Sequence, residues 1–220
     1  MQNDKNFRFY LIICAIFSIA MAYLESAVVV YLRELYYPEG FKFPLKEIPT
    51  FIYITEIGRE IATIVMLWAI AKLVAHNARE WFAYFAYNFG VWDIWYYIWL
   101  KLLLNWPATF LEWDILFLIP VPWGGPVLAP VLVSAALITA AYIILYLEHR
   151  NTPLKFSKLD WLLEILAGLI VIISFLTQSD ILIAQQFPQH YPWWLFAVGF
   201  ILGLLIFIRR VIEAKKQEVP

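Results

Sequence analysis

The sequence predicts an all-α fold, a polytopic membrane bundle of six transmembrane helices with a short interfacial or re-entrant segment before the fourth. Three observations carry this reading. Of 220 residues, 63% are hydrophobic and only 15% charged, whereas a soluble domain is nearer a quarter charged. Six stretches each reach about the 20 residues that cross ~30 Å of hydrocarbon as a helix. Lipid offers no water to open backbone groups, so runs of that length are read as helices. The expected spans are 9–32, 50–73, 81–104, 127–147, 161–179 and 191–208 of one integral membrane domain, 1–220.

The first span imitates a signal peptide. Lys5 and Arg8 precede an apolar run, and Ala20-Met21-Ala22 resembles a cleavage site. The apolar character continues to Leu32, so we read it as a retained helix. Cys14, the single cysteine, lies within it. That excludes an internal disulfide and a thiolate metal cluster, and leaves a small buried hydrophobe. Ala15, Ser18, Ala22 and Glu25 form a narrow stripe of the type that packs closely on another helix.

The second span carries Glu56, Arg59 and Glu60, and the third carries Asp93. On the third, Trp92, Trp95 and Trp99 recur at spacings of three and four, a stripe read as packing or lipid-facing surface. The fourth region is irregular. No charge occurs from Ile115 to Leu147, and Pro120, Pro122, Gly124, Gly125 and Pro126 interrupt the run. We expect Leu111–Phe117 to be a short helix at the outer interface or a shallow re-entrant piece. The PVPWGGP segment turns the chain back, and the span proper begins near Val127. Asp160, Glu164 and Asp180 sit near the ends of the fifth span. Gly199 and Gly203 form a GxxxG on the sixth, and Ala136 and Ala140 a small pair on the fourth, suited to packing within the chain or against another membrane subunit.

Orientation follows from the basic residues. With the N-terminus inside, eleven Lys and Arg (5, 8, 72, 79, 150, 155, 158, 209, 210, 215 and 216) are cytoplasmic, and Arg33, Lys42, Lys46 and Lys101 face the other side. The asymmetry places both termini in the cytoplasm, and we expect the cell (inner) membrane of a prokaryote. Trp106, Trp113, Trp123, Trp193 and Trp194 then fall at the outer boundary, where amphipathic rings prefer the headgroup level. A net charge of −1 and the lack of a basic run give no surface for nucleic acid.

The intramembrane charges are the candidates for function, because each costs ~2.5–3.5 kcal/mol on insertion scales. At ~1.5 Å rise per residue, Glu25, Glu56, Glu60 and Asp93 all fall in the outer half or centre of the membrane. Glu56, Glu60 and Thr63 share one helical face with Arg59 beside them, and Asp93 shares a face with Tyr97, next to Tyr96. Four carboxylates and one arginine sum to −3 if all are ionised, so protons, a cation or water must join them. A hard divalent cation suits carboxylate oxygens. His76, His149 and His190 have neither zinc-ligand spacing nor the matched depth of a transmembrane haem, which disfavours both cofactors. Asp114 and Trp123 are outer-loop candidates that cover the site.

Three functions fit these residues. The leading one is a pocket in the first three helices, open to the non-cytoplasmic side, that binds a cation, protons or a polar or amphipathic ligand. Glu25, Glu56, Glu60 and Asp93 supply charge, Arg59 orients or neutralises, and Tyr96 or Tyr97 supplies hydrogen bonds. In the second, one carboxylate is general acid or base toward a lipid-like substrate. In the third, the charges staple three helices of a structural subunit in a larger membrane complex. The order E-x-x-R-E differs from the E-E-x-x-x-R motif of CAAX-protease-like membrane enzymes. Neither the D-G…A-R pattern of CDP-alcohol phosphotransferases nor the Asp-rich repeats of prenyltransferases occur.

Overall fold

Apolar runs punctuated by caps and prolines give a chain dominated by helix. The structure, a computed structural model, describes residues 2–188 and 190–217; residues 1, 189 and 218–220 of the expected domain lie outside the described residues. In order the elements are α1 (Gln2–Tyr36), α2 (Thr50–Val74), α3 (Ala78–Leu104), β1 (Trp113–Phe117), β2 (Trp123–Pro126), α4 (Leu128–His149), α5 (Lys158–Leu176), α6 (Ser179–Ile183) and α7 (Trp193–Gln217).

The local sequence explains where helices start and stop. Asn77 caps α3, its side chain accepting from the backbone N–H of Arg79 and Glu80. Asn105 ends the same helix in the left-handed conformation, with φ 53°. Ser157 and Asp160 form a reciprocal capping box at the start of α5. Asp160 then receives both Arg209 and Arg210 of α7, which ties the two helices together at that end.

Among the described residues, four regions are long and apolar enough to cross a membrane: Phe7–Tyr36, Leu128–His149, Lys158–Ile183 and Trp193–Lys216. They associate the protein with a membrane. Helix α5 exposes Leu159, Leu162, Ile165, Leu166, Leu169 and Ile173, a surface that lipid satisfies and water does not. Helices α2 and α3 are equally long but less apolar, α2 because of Glu56, Arg59, Glu60 and Lys72, α3 because Trp and Tyr replace aliphatic residues.

Helix α3 is the centre of the packing, with α1, α2 and α4 against it; α5 and α7 form a second pair joined to α4 through α7. Glycine sets two of these approaches. A Cβ on Gly90 would lie 2.7 Å from the Ser134 carbonyl oxygen and 2.8 Å from Ile138, so the backbones of α3 and α4 touch there. One on Gly199 would lie 2.8 Å from the Ala167 carbonyl oxygen. The first glycine of the GxxxG is therefore engaged within the chain.

The region before α4 corrects the all-α expectation. Leu111–Phe117 is not a short helix: residues 113–117 pair antiparallel with 123–126 as a β-hairpin, in the register Trp113↔Pro126, Asp114↔Gly125, Ile115↔Gly124 and Phe117↔Trp123, with an irregularity between Ile115 and Phe117. Packing decides the outcome. Gly124 and Gly125 let the second strand lie directly on Leu182 and Phe175, where a Cβ would come within 2.7 and 3.0 Å. The Ser179 hydroxyl donates to the Pro122 carbonyl at 2.7 Å. Beneath the hairpin, Phe175, Tyr191 and Phe196 form a buried aromatic cluster with Ala129. The helix proper starts at Leu128, beside the expected Val127.

Candidate functional site

Three helices and the hairpin surround a cavity of about 600 Å³ at the end of the bundle where α1 ends and α2 begins. Its lining includes Glu25 from α1, Glu56, Arg59 and Glu60 from α2, Asp93, Tyr96 and Tyr97 from α3, and Asp114 from β1. Eight of the nine site residues expected from sequence thus meet one space. Trp123 is not among the lining residues: its ring stacks on Phe175, 6.4 Å between centroids, and its Nε1 donates to the Ile119 carbonyl at 2.8 Å.

The helical spacing of α2 builds the floor. Arg59 reaches back one turn, its Nε and Nη2 donating to Glu56 Oε2 at 2.9 and 2.7 Å. Its Nη1 pairs with Glu25 across the α1–α2 interface. Glu25 also accepts from the Thr63 hydroxyl at 3.0 Å, one turn beyond Glu60. One guanidinium therefore bridges two buried carboxylates on different helices, an arrangement that satisfies charges which would otherwise be expelled from a low dielectric.

Glu60 and Asp93 are arranged differently. Both oxygens of Glu60 accept from the Leu118 backbone N–H, each at 3.0 Å. Asp93 accepts from the Ser134 hydroxyl of α4 at 2.8 Å. Both acids are buried, and among the described residues neither has a cationic side chain at ion-pair distance.

The roof holds the residue that sequence reasoning passed over. Arg33, at the last turn of α1, is buried between aromatic faces, its guanidinium carbon 4.4 Å from the Phe41 ring and 3.9 Å from the Trp106 ring. It faces Asp114 at 3.7 Å. Burial pushes the Asp114 carboxyl up to about 6, against the opposing pull of Arg33. The Tyr97 hydroxyl also acts on this carboxyl, whose second oxygen is buried with no well-aligned hydrogen bond among the described residues. A signal for Arg33 was present in the chain: it follows Glu25 by eight residues, a spacing that keeps both on one side of a helix. Ser134 left no signal, being an uncharged residue in an apolar run.

The electrostatic balance is simple. Five carboxylates (Glu25, Glu56, Glu60, Asp93 and Asp114) and two guanidiniums (Arg33 and Arg59) give −3 if all are ionised, and Lys46 and Glu47 at the rim cancel. Among the described residues, no three His, Cys, Asp or Glu side chains are grouped so that they could hold one metal ion. The acids are distributed around the cavity, with apolar and aromatic wall between them.

Below the cavity, a few polar groups are buried within the largely apolar seam between α1, α2 and α3. Ser18 and Asn88 are fully buried, Asn88 donates to the Leu67 carbonyl at 3.5 Å, and the Ser18 hydroxyl, Asn88 Oδ1 and Trp92 Nε1 have no partner among the described residues. Buried groups of this type are normally satisfied by internal water. Of the Trp92–Trp95–Trp99 stripe, expected to be packing or lipid-facing surface, Trp92 is buried and Trp99 Nε1 donates to the Ile19 carbonyl at 3.2 Å.

No family model, curated protein or solved structure matches this chain. The site's own chemistry carries the functional reading.

Proposed function

We propose that the chain is a six-span protein of a prokaryotic cell (inner) membrane, with both termini cytoplasmic. In this reading the α1–α3 pocket opens to the non-cytoplasmic side and binds a cation, protons or the polar head of an amphipathic ligand. The observation that carries it is the 600 Å³ cavity lined by five buried carboxylates and two arginines. Intramembrane ionisable groups that face a cavity mark binding or proton-handling sites by default, and the volume is within the ~300–1,000 Å³ of small-molecule pockets. The E-x-x-R-E spacing supplies the floor, and the hairpin supplies the roof.

A second reading has one observation in its favour. Arg59 bridges Glu25 and Glu56, so these three residues alone act as a staple between α1 and α2, as in a structural subunit of a membrane complex. The two readings separate in purified protein. Arg59→Met and Glu60→Gln are compared for thermal stability and for binding of protons, divalent cations and amphiphiles. The pocket reading expects Glu60→Gln to change binding with little loss of stability. Loss of stability in Arg59→Met with binding unchanged in both variants would leave only the staple.

A further inference from the structure

The pocket is more selective than its net charge suggests. Arg59 neutralises one of the two acids it bridges, and Arg33 is matched by Asp114. The surplus negative charge therefore rests on Glu60, on Asp93 and on the Glu25–Glu56 pair. These groups are set around a wall rather than gathered on one point, and no group able to hold a metal is found among the described residues. A small hard ion needs several oxygens in one shell; a larger cation with charge spread over its surface does not.

The wall itself favours such a cation. Trp92 lies 6.4 Å, ring centre to ring centre, from both Tyr96 and Phe117, and all three line the cavity. Aromatic faces attract ammonium groups most strongly where water is excluded. The fold already uses this attraction at Arg33, held between Phe41 and Trp106. Val29, Leu32, Leu116 and Val121 continue the lining with no polar group to solvate a charge. Asp114, a residue only 3% exposed, lines the same space but is already engaged by Arg33 and the Tyr97 hydroxyl.

We propose that the cavity takes an amphipathic organic cation, with its amine or quaternary ammonium head drawn to the acids without a cationic partner, Glu60 and Asp93, and a single aliphatic or aromatic body along the apolar lining that includes Leu32 and Val121. This rests on the pocket reading above and sharpens it to one ligand class. A phosphate-bearing head is disfavoured, because it would bring negative charge beside carboxylates already in excess.

The test uses the full chain purified in an uncharged maltoside detergent, titrated with octyltrimethylammonium, octyl phosphate, octanol and magnesium chloride, and followed by calorimetry and tryptophan fluorescence. Saturable binding of octyltrimethylammonium is expected, weakened at least tenfold in Glu60→Gln and in Asp93→Asn, with no saturable response to the other three. Leu32→Trp fills the wall without altering charge and is expected to weaken the same binding; thermal midpoints show that each variant is folded. Tighter binding of octyl phosphate, or of magnesium alone, would overturn the cation assignment while leaving a ligand pocket in place. No saturable binding of any of the four would overturn the organic-cation assignment and leave the pocket reading only its proton-binding form.

Discussion

The backbone N–H of Leu118 donates to both carboxylate oxygens of Glu60 at 3.0 Å. A residue just past the first hairpin strand is thus anchored to the middle of α2, and the roof of the cavity is tied to its floor by one shared donor. Charge-assisted bonds of this type are stronger than neutral ones. Replacing Glu60 by Ala leaves the partly buried N–H without its acceptor and is expected to cost about 1 kcal/mol, whereas Gln keeps an acceptor and costs less. Hydrogen exchange at the Leu118 amide reads this directly: faster exchange in Glu60→Ala than in Glu60→Gln is expected, and equal rates would show that the bond does not hold the hairpin.

Arg59 should be the least replaceable residue of the floor. Removing it leaves Glu25 and Glu56 buried without their shared cation, a loss on the order of 3–5 kcal/mol. Adding Glu25→Gln to Arg59→Met should recover part of the stability, because one stranded charge disappears. A double variant no more stable than Arg59→Met alone would count against the bridge.

Two glycines should respond in opposite directions. Gly90→Ala forces a methyl against the Ser134 carbonyl and Ile138, costs about 1–3 kcal/mol, and moves the Ser134 hydroxyl away from Asp93. Gly168 on α5 has no neighbour among the described residues within 4 Å of its would-be Cβ, outside its own helix backbone. There Ala is expected to be neutral or stabilising by up to about 1 kcal/mol, the helix-propensity difference. Thermal midpoints of the two variants that move together would refute the α3–α4 contact.

Asp114 gives a pH dependence with a definite sign. Its carboxyl holds a proton more tightly in the folded chain, up to about 6, than at the ordinary 3.8. The stability it contributes is complete below about 3.8 and is lost as the pH rises through 6. Asn imitates the protonated acid, so the thermal midpoint of the native chain should fall relative to Asp114→Asn between pH 4 and 7. Parallel curves over that window would mean that Asp114 ionises freely.

Topology can be read from two cysteines placed in a Cys14→Ala background. Glu39→Cys, on the loop after α1, should react with an impermeant thiol reagent added to intact cells. Lys155→Cys, on the loop before α5, should react only after lysis. The reverse pattern would invert the pocket with respect to the cell.

How much of this was legible in the sequence depends on how far each residue's meaning is local. Glu25, Glu56, Glu60 and Asp93 could be brought to matched depths because helical rise converts sequence distance into height. Asp114 was found as part of a covering loop, though its partner was not. Arg33 was counted as a boundary charge, since its burial depends on Phe41 and Trp106, residues 8 and 73 positions away. The hairpin was missed because WGGP has little strand preference of its own; Phe175 and Leu182, far along the chain, select that conformation. Ser134 matters only because Gly90 brings its helix close, and that contact has no sequence periodicity.

The Glu25–Arg59 pair also has a consequence for biogenesis. In the proposed six-span reading, helix α2 presents Glu56, Arg59 and Glu60 to the insertion machinery before any cavity exists, although it is not among the segments apolar enough to cross a membrane by length and composition. Helix α1, already synthesised, carries the counter-charge. The two are expected to leave the translocon together as a hairpin, with Arg59 neutralised on the way, so that the bond which later floors the pocket first serves as an entry permit. A reporter fused after α2 should be left on the wrong side of the membrane when α1 carries Glu25→Leu, and returned when Arg59→Met is added.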